Sequence, residues 1–136
     1  MLSRTKTQAA GIAFLSRAGH LLMHLRSHQP GLTMPDMWDI IGGVMEGSET
    51  PAEAAIREAE EEIGERVSTL EEFGTYESRT VRLYVFTAWL DKPAEKLVLG
   101  EGVALAFLSL RQLSELPLVP WTHMLVHDLK SEGLLR

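Results

Sequence analysis

The sequence predicts an α/β fold in one domain, a mixed β-sheet held between helices. Three observations carry that prediction. Apolar runs of strand period alternate with segments of helical period along the chain. No internal repeat and no linker rich in Gly, Ser or Pro divides it. Its 136 residues suit one domain with a real core.

The elements follow in chain order. Ala10 to Ser16 and His20 to Arg26 are apolar runs of short period separated by Arg17-Ala18-Gly19, which reads as a hairpin. Ser27 to Met37 is polar, and Pro30, Gly31 and Pro35 argue against a helix there. Trp38 to Ile41 is a short strand candidate ending at Gly42-Gly43.

The clearest helix comes next. Thr50 is a good N-cap, Pro51 suits the first position because its missing N–H costs nothing there, and Glu53 completes a Thr-x-x-Glu capping box. Gly64 supplies the stop, giving a helix of about 13 residues, or roughly 20 Å. Val67 to Tyr76 and Val81 to Leu90 read as strands. In the second, Val81, Leu83, Val85 and Thr87 share one face while Arg82, Tyr84, Phe86 and Ala88 share the other. Asp91 to Glu95 is a turn, Val103 to Leu110 a strand and Arg111 to Leu116 a short helix. Trp121 to Ser131 is a closing amphipathic helix, with Met124, Leu125 and Leu129 at helical spacing.

The net charge is −6, and it is unevenly placed. Glu46 to Arg66 holds eight glutamates against Arg57 and Arg66 alone, so this segment accounts for the whole imbalance and the rest of the chain is neutral. Such a chain is a poor binder of nucleic-acid backbone, which requires clustered Lys and Arg, and of anionic membrane surfaces. With no cysteine, disulfides, thiolate metal sites and a cysteine nucleophile are excluded. No apolar run approaches the roughly 20 residues of a spanning helix. Arg4 and Lys6 precede the apolar stretch Ala9 to Leu15, but Arg17 and Gly19 interrupt it, so it reads as mature protein. A soluble cytoplasmic location is the expectation.

The acidic segment carries the chemistry. Glu58, Glu61 and Glu62, spaced i, i+3 and i+4, fall within an arc of roughly 100° on the helix. The same wheel puts Ala54 and Ala55 beside them and leaves Ile56, Ala59 and Ile63 to face the core. Like charges at this spacing cost about 0.2 to 0.5 kcal/mol per pair, and they lie in the half of the helix where the dipole prefers cations. Local stability therefore does not explain them, whereas a hard divalent cation with oxygen ligands and substrate phosphates does. A run of glutamates is ordinarily a solvated face; this one follows directly on a glycine-bearing loop.

Loop and helix together read Gly43-x5-Glu49-x7-Arg57-Glu58-Ala59-x-Glu61-Glu62-x-Gly64. This resembles the signature of the Nudix hydrolases, of the MutT type, at every fixed position. Ala59 is smaller than the aliphatic residue usual there, Glu65 replaces an apolar one, and Ile41 stands where proline often precedes the glycine pair. Weaker likeness extends to Gly11, to Leu21-Leu22-x-x-Leu25-Arg26, to Trp38-Asp39-Ile40-Ile41-Gly42-Gly43 and to Glu101-Gly102 with Phe107-Leu108-Ser109-Leu110.

The resemblance implies an α/β/α sandwich over residues 1–136, with residues 43–65 as the signature loop and helix. It also implies hydrolysis of a nucleoside diphosphate linked to a further group. It assigns metal ligation to Glu58, Glu61, Glu62 and the Gly42 carbonyl, with Mg²⁺ as the cofactor and Mn²⁺ as a substitute. Catalytic roles fall to Glu61, Glu58, Arg57 and Glu101: Glu61 is favoured as base, Glu101 is a distant carboxylate that approaches the metals or acts as base, and Arg57 meets Glu61 and Glu49. Arg26 and Trp38 are candidate substrate contacts, a phosphate for the first and a stacked base for the second; Tyr84, Phe86 and Trp121 are further stacking candidates, although packing is the simpler role for any of them. His20, His24 and His28 have a spacing of four, but on a strand neighbours in that series are about 13 Å apart, too far to ligate one zinc. The expected substrate is a small nucleotide, a nucleoside triphosphate or an oxidised dNTP giving a monophosphate and pyrophosphate. Alternatives are ADP-ribose or another nucleotide sugar, and a non-catalytic nucleotide-sensing module. No nucleic-acid polymer or membrane partner is expected, and the chain is a monomer or a homodimer.

Overall fold

The computed structural model describes residues 5–26, 36–100 and 104–136. Strand β1 (Thr7–Leu15) is the axis of a seven-stranded mixed sheet. It runs parallel to β6 (Val81–Trp89) over its full length, from Thr7 opposite Val81 to Leu15 opposite Trp89. Along its other edge, Ala9 to Ile12 pair antiparallel with Val44 to Ile41 of β4 (Ile41–Val44). β2 (Leu21–Leu25) joins β1 at the Leu15 and Leu21 pair, then runs between β3 (Trp38–Asp39) and β7 (Ala104–Leu108), antiparallel to both. β5 (Glu71–Glu77) closes the far edge against β6.

Period-2 alternation along β1 assigns the two faces of this sheet. Ala10, Ile12 and Phe14 point to one side and pack with Ala54, Ala55, Ala59 and Ile63 of α1 (Pro51–Ile63). Ala9, Ala13 and Leu15 point to the other, against Leu113 of α2 (Leu110–Leu113) and Leu125 and Leu129 of α3 (Pro120–Ser131). β6 alternates in the same way, Leu83 and Val85 toward α3, Tyr84 and Phe86 toward α1. The result is an α/β/α sandwich. Among the described residues, no helix is long and apolar enough to cross a membrane.

Helix α1 follows its local signals. Thr50 accepts a hydrogen bond from the Glu53 amide, Glu53 returns one to the Thr50 amide, and Gly64 ends the helix at φ 71°. Its core face, however, differs from the expected one. Ala54 and Ala55 are buried with Ala59 and Ile63, while Ile56 is only half-buried. Three alanines let the helix lie close on β1 and β4, so the carboxylates of Glu58 and Glu62 project along the rim of the core rather than away from it.

Strand pairing corrects other expectations. The tight turn Ser16 to His20 forms, with Ser16 and His20 bonded across it at 3.0 Å, but β1 and β2 do not continue as a hairpin ladder. The edge of β1 that a hairpin partner needs is taken by β4. Gly42 and Gly43 are not a strand end but the middle of β4. β5 begins at Glu71 rather than Val67, and α2 starts one residue early because Ser109 and Gln112 form a second capping box. The strand start expected at Val103 lies outside the described residues, as does most of the polar stretch beginning at Ser27.

Gly42 is required by packing. A Cβ there would lie 2.5 Å from the Ala10 carbonyl oxygen and 2.6 Å from the Gly11 Cα, both backbone atoms that cannot turn aside. Gly42→Ala is expected to destabilise the fold by about 1–3 kcal/mol, read as a lower urea midpoint.

Candidate active site

The site is assembled where β4 leads through the Glu46 to Glu49 turn into α1. Gly47 holds φ 51°, and the turn is closed by the Glu49 amide donating to the Glu46 carbonyl at 3.0 Å. The Glu46 amide in turn donates to the Glu49 carboxylate at 2.8 Å, which aims that carboxylate toward the helix.

Arg57 is the hub. Its Nε and Nη2 grip Glu49 in a bidentate pair at 2.7 and 3.0 Å, and Nη2 also donates to the Val44 carbonyl at 3.1 Å. Nη1 reaches Glu58 at 3.0 Å and Glu61, one turn on, at 3.2 Å. Glu46 adds a longer contact at 3.7 Å. One guanidinium thus joins the end of β4, the loop and two of the three clustered glutamates, a task its planar fork suits and an ammonium does not. Its hydrogen bonds to Glu49 hold Arg57 firmly protonated and lower the Glu49 pKa.

Gly43 completes the cradle. A Cβ on it would stand 2.5 Å from Glu58 Oε1, so the missing side chain is the space the carboxylate fills. The Glu58 side chain is 14 % exposed and that of Glu61 59 %, which grades the pair from wall to opening. Glu62 is half-buried one turn beyond Glu58. Gly100 passes close by, its amide donating to the Glu62 carbonyl at 2.7 Å, so the chain returns to the helix end just before Glu101. Glu101 itself lies outside the described residues.

The donor set, two or three carboxylates and backbone carbonyls with no sulfur, suits a hard divalent cation. Among the described residues no three acids already converge at metal-ligand geometry, because Arg57 draws Glu58 and Glu61 toward itself. Gly43→Ala is expected to displace Glu58 and lower turnover at least tenfold with a melting temperature within a few degrees of wild type, since the atom to be moved ends a flexible side chain.

The other candidates lie outside this cradle. Arg26, just past β2, pairs with Asp39 at 3.4 Å. Trp38 bridges in parallel to Leu118 and packs partly buried on the α3 side, where Trp121 also lies. Tyr84 and Phe86 belong to the α1 side, Tyr84 donating to Gln8 at 3.0 Å and Phe86 buried. The four aromatics therefore do not make one stacking surface. His24 pairs across the ladder with Asp39, and His28 lies outside the described residues.

Asp39 escaped the sequence reading, although an acid inside the apolar run Trp38 to Ile41 was the signal for it. It is 8 % exposed, the one buried acid or base among the described residues, and its Oδ1 accepts from the Ile40 amide at 2.8 Å and from Thr122 Oγ1 at 3.2 Å. The buried Trp121 indole N–H faces the same carboxylate without reaching hydrogen-bond geometry.

Burial pushes Asp39 up from 3.8 to about 6, and burial with the nearby Arg26 charge pushes His24 down from 6.5 to about 4. The two act oppositely on stability. A lowered histidine favours the fold increasingly as pH rises from about 4 to 6.5; a raised aspartate favours it less as pH rises from about 4 to 6. They offset one another over about pH 4–6, each at of order 1 kcal/mol per pH unit. Urea midpoints should therefore climb more steeply with pH in Asp39→Asn than in wild type, and less steeply in His24→Gln. Parallel slopes in all three proteins contradict this.

A model of the NUDIX domain matches residues 5–129. The fold is also similar to solved structures. The MutT protein of Methanosarcina mazei Go1 superposes with a TM-score of 0.80 at 19% identity, covering 98% of this chain and 99% of that one. The Nudix domain of Shewanella oneidensis NrtR, complexed with ADP ribose, gives 0.75 at 14% identity, over 96% of this chain and 90% of that one. A C. elegans Ap4A hydrolase gives 0.72 at 20%, over 92% and 96%. With the family model spanning nearly the whole chain, and the loop and helix built around Arg57 and its glutamates inside the matched region, the chain belongs to the Nudix hydrolase family.

Proposed function

We propose that this protein is a Mg²⁺-dependent hydrolase of a small nucleotide, a nucleoside triphosphate or oxidised dNTP, releasing a nucleoside monophosphate and pyrophosphate. The observation that carries this reading is the Arg57 hub, which gathers Glu49, Glu58 and Glu61 beside the Gly43 cradle.

Glu58, Glu61, Glu62 and the Gly42 carbonyl would hold the divalent cation, Mg²⁺ or Mn²⁺ as substitute. When bound, the ion supplies screening of the phosphate charges and polarisation of the attacking water. The chain's own part is positional and protolytic. Arg57 keeps Glu61 and Glu58 oriented, and Glu49 keeps Arg57 oriented. Glu61, the more exposed carboxylate, takes the proton of the water whose oxygen bonds to phosphorus as the P–O bond of the diphosphate breaks. Glu101 is the alternative base. Arg26 contacts a substrate phosphate, and Trp38 offers a ring on which the base stacks.

The test is a panel of nucleoside triphosphates, oxidised dNTPs, nucleotide sugars and dinucleoside polyphosphates, assayed with Mg²⁺ and with Mn²⁺ for phosphate or pyrophosphate release. Pyrophosphate from a triphosphate supports the reading. The ADP ribose complex of a chain of the same fold keeps nucleotide sugars as the alternative, favoured if they alone are cleaved. A sensing module would bind nucleotide without turnover, although the intact set of Arg57 and its glutamates argues against one. Mg²⁺ with a nucleotide at 100 times its Kd should stabilise the fold by about 2.7 kcal/mol, seen as a rise in Tm; an unchanged Tm speaks for an acidic helix without a site.

A further inference from the structure

Asp39 has no part in the metal cradle, and stability does not account for it. Replacing a buried ion pair by uncharged groups is often neutral or stabilising, so such a pair is weak evidence of a structural role. Its geometry is directional instead. Two donors from different elements, the Ile40 amide and Thr122 Oγ1 of α3, both engage Oδ1. That fixes the carboxylate plane and presents Oδ2 to Arg26 Nη1 at 3.4 Å. Arg26 is also held through its backbone, its amide donating to the Met37 carbonyl at 2.9 Å and its carbonyl accepting from Asp36 at 3.3 Å. Yet 27 % of its side chain stays exposed, against 12 % for that of Asp39. The acid is enclosed while the cation keeps a face to solvent.

The place of this pair in the sheet connects it to the site. Asp39 lies four residues before Gly43 along β3 and β4, roughly 13 Å on an extended chain, and Gly43 cradles Glu58. The pair and the cradle therefore lie on one short run of chain.

We propose that Asp39 is a positioning residue that, braced by Thr122, holds the Arg26 guanidinium toward the nucleotide. The proposal rests on the hydrolase reading above for its substrate. It differs from a merely structural clip between β3 and α3 in acting through Arg26 alone.

The experiment is a double-mutant cycle on whichever panel nucleotide is turned over, with Asp39→Asn, Arg26→Ala and both together. Asparagine keeps the Oδ1 acceptor and removes the charge. The expected result is a rise in KM of five- to twentyfold in each single variant with kcat within twofold, and no further rise in the double variant. An unchanged KM in Asp39→Asn, or effects that multiply in the double variant, overturns the proposal. A second readout needs no turnover: the side-chain ¹⁵N resonances of Arg26, resolved by hindered rotation in the wild type, should average in Asp39→Asn, and resonances that do not change overturn the proposal. If Asp39→Asn fails to fold, Thr122→Val carries the cycle, with a smaller KM rise that Arg26→Ala again abolishes. A wild type that hydrolyses nothing in the panel refutes the hydrolase reading, while the ¹⁵N result still decides whether Asp39 orders Arg26.

Discussion

Replacing Glu61 by Gln is expected to lower kcat by about 10²- to 10⁴-fold and to leave the fold intact. The amide has the same shape as the carboxylate, and the side chain is 59 % exposed and meets Arg57 at 3.2 Å, so little packing is disturbed. What is lost is the ability to take a proton and to act as an anionic oxygen donor. Glu60→Gln is the matched control, because Glu60 lies one residue away, is similarly exposed at 53 % and, among the described residues, pairs at 3.5 Å only with the surface cation Arg66. It should retain wild-type turnover. Equal Mg²⁺-dependent turnover in Glu61→Gln and wild type would sink the catalytic assignment, and a collapse in Glu60→Gln would show that charge in the segment, not position, is what matters.

Arg57→Ala should damage both turnover and stability, which sets it apart from Glu61→Gln. Removing the guanidinium leaves Glu49, Glu58 and Glu61 facing one another without their shared cation and leaves the Val44 carbonyl without its donor. With the side chain of Arg57 22 % exposed, water softens the repulsion, and a cost of about 1–2 kcal/mol is expected. For a domain of this size that lowers Tm by several degrees. Turnover should fall at least a hundredfold. Arg57→Lys separates charge from geometry: it keeps the positive charge but cannot bridge two Glu49 oxygens and two further glutamates together. A lysine variant close to wild type in kcat would mean that Arg57 acts as a point charge rather than as an orienting fork. Added Mg²⁺ should restore part of the lost stability in Arg57→Ala, because a divalent cation replaces the missing positive charge; a Tm indifferent to Mg²⁺ would argue that the glutamates do not share a cation site.

These two variants show where local and long-range information divide. Helix α1 was legible in the sequence from end to end, since Thr50, Pro51, Glu53 and Gly64 act within one turn of the residues they cap. The spacing of Arg57, Glu58, Glu61 and Glu62 follows from that helix, so the grouping of the carboxylates was legible too. Even the contact between Arg57 and Glu61 needs only the i, i+4 geometry of a helix.

The loop glycines and the core face depended on other strands. Gly42 and Gly43 look like a turn in sequence because glycine is a local breaker, yet they are strand residues chosen by neighbours 32 residues earlier and 15 later, the Ala10 carbonyl and the Glu58 carboxylate. Ala54 and Ala55 look like spacers beside the acids, yet they are core, because β1 and β4 press against that side of the helix rather than against Ile56. The hairpin of β1 and β2 forms but stays short for a similar reason. The turn is local and forms, but the edge of β1 beyond it is taken by β4, and which strand occupies an edge is settled by the whole sheet.

By itself, then, the sequence determined the acid-rich helix, its caps, the register of its carboxylates and the family to which they point, all of which depend on interactions within about one turn of chain. Only the tertiary structure decided that Gly43 makes room for Glu58, that Glu49 grips Arg57 from the preceding loop, and that Asp39 is buried against Thr122 with Arg26 on its free side. Those contacts join residues eight to more than eighty positions apart, and no periodicity or capping rule reports on a distance that the chain must fold to close.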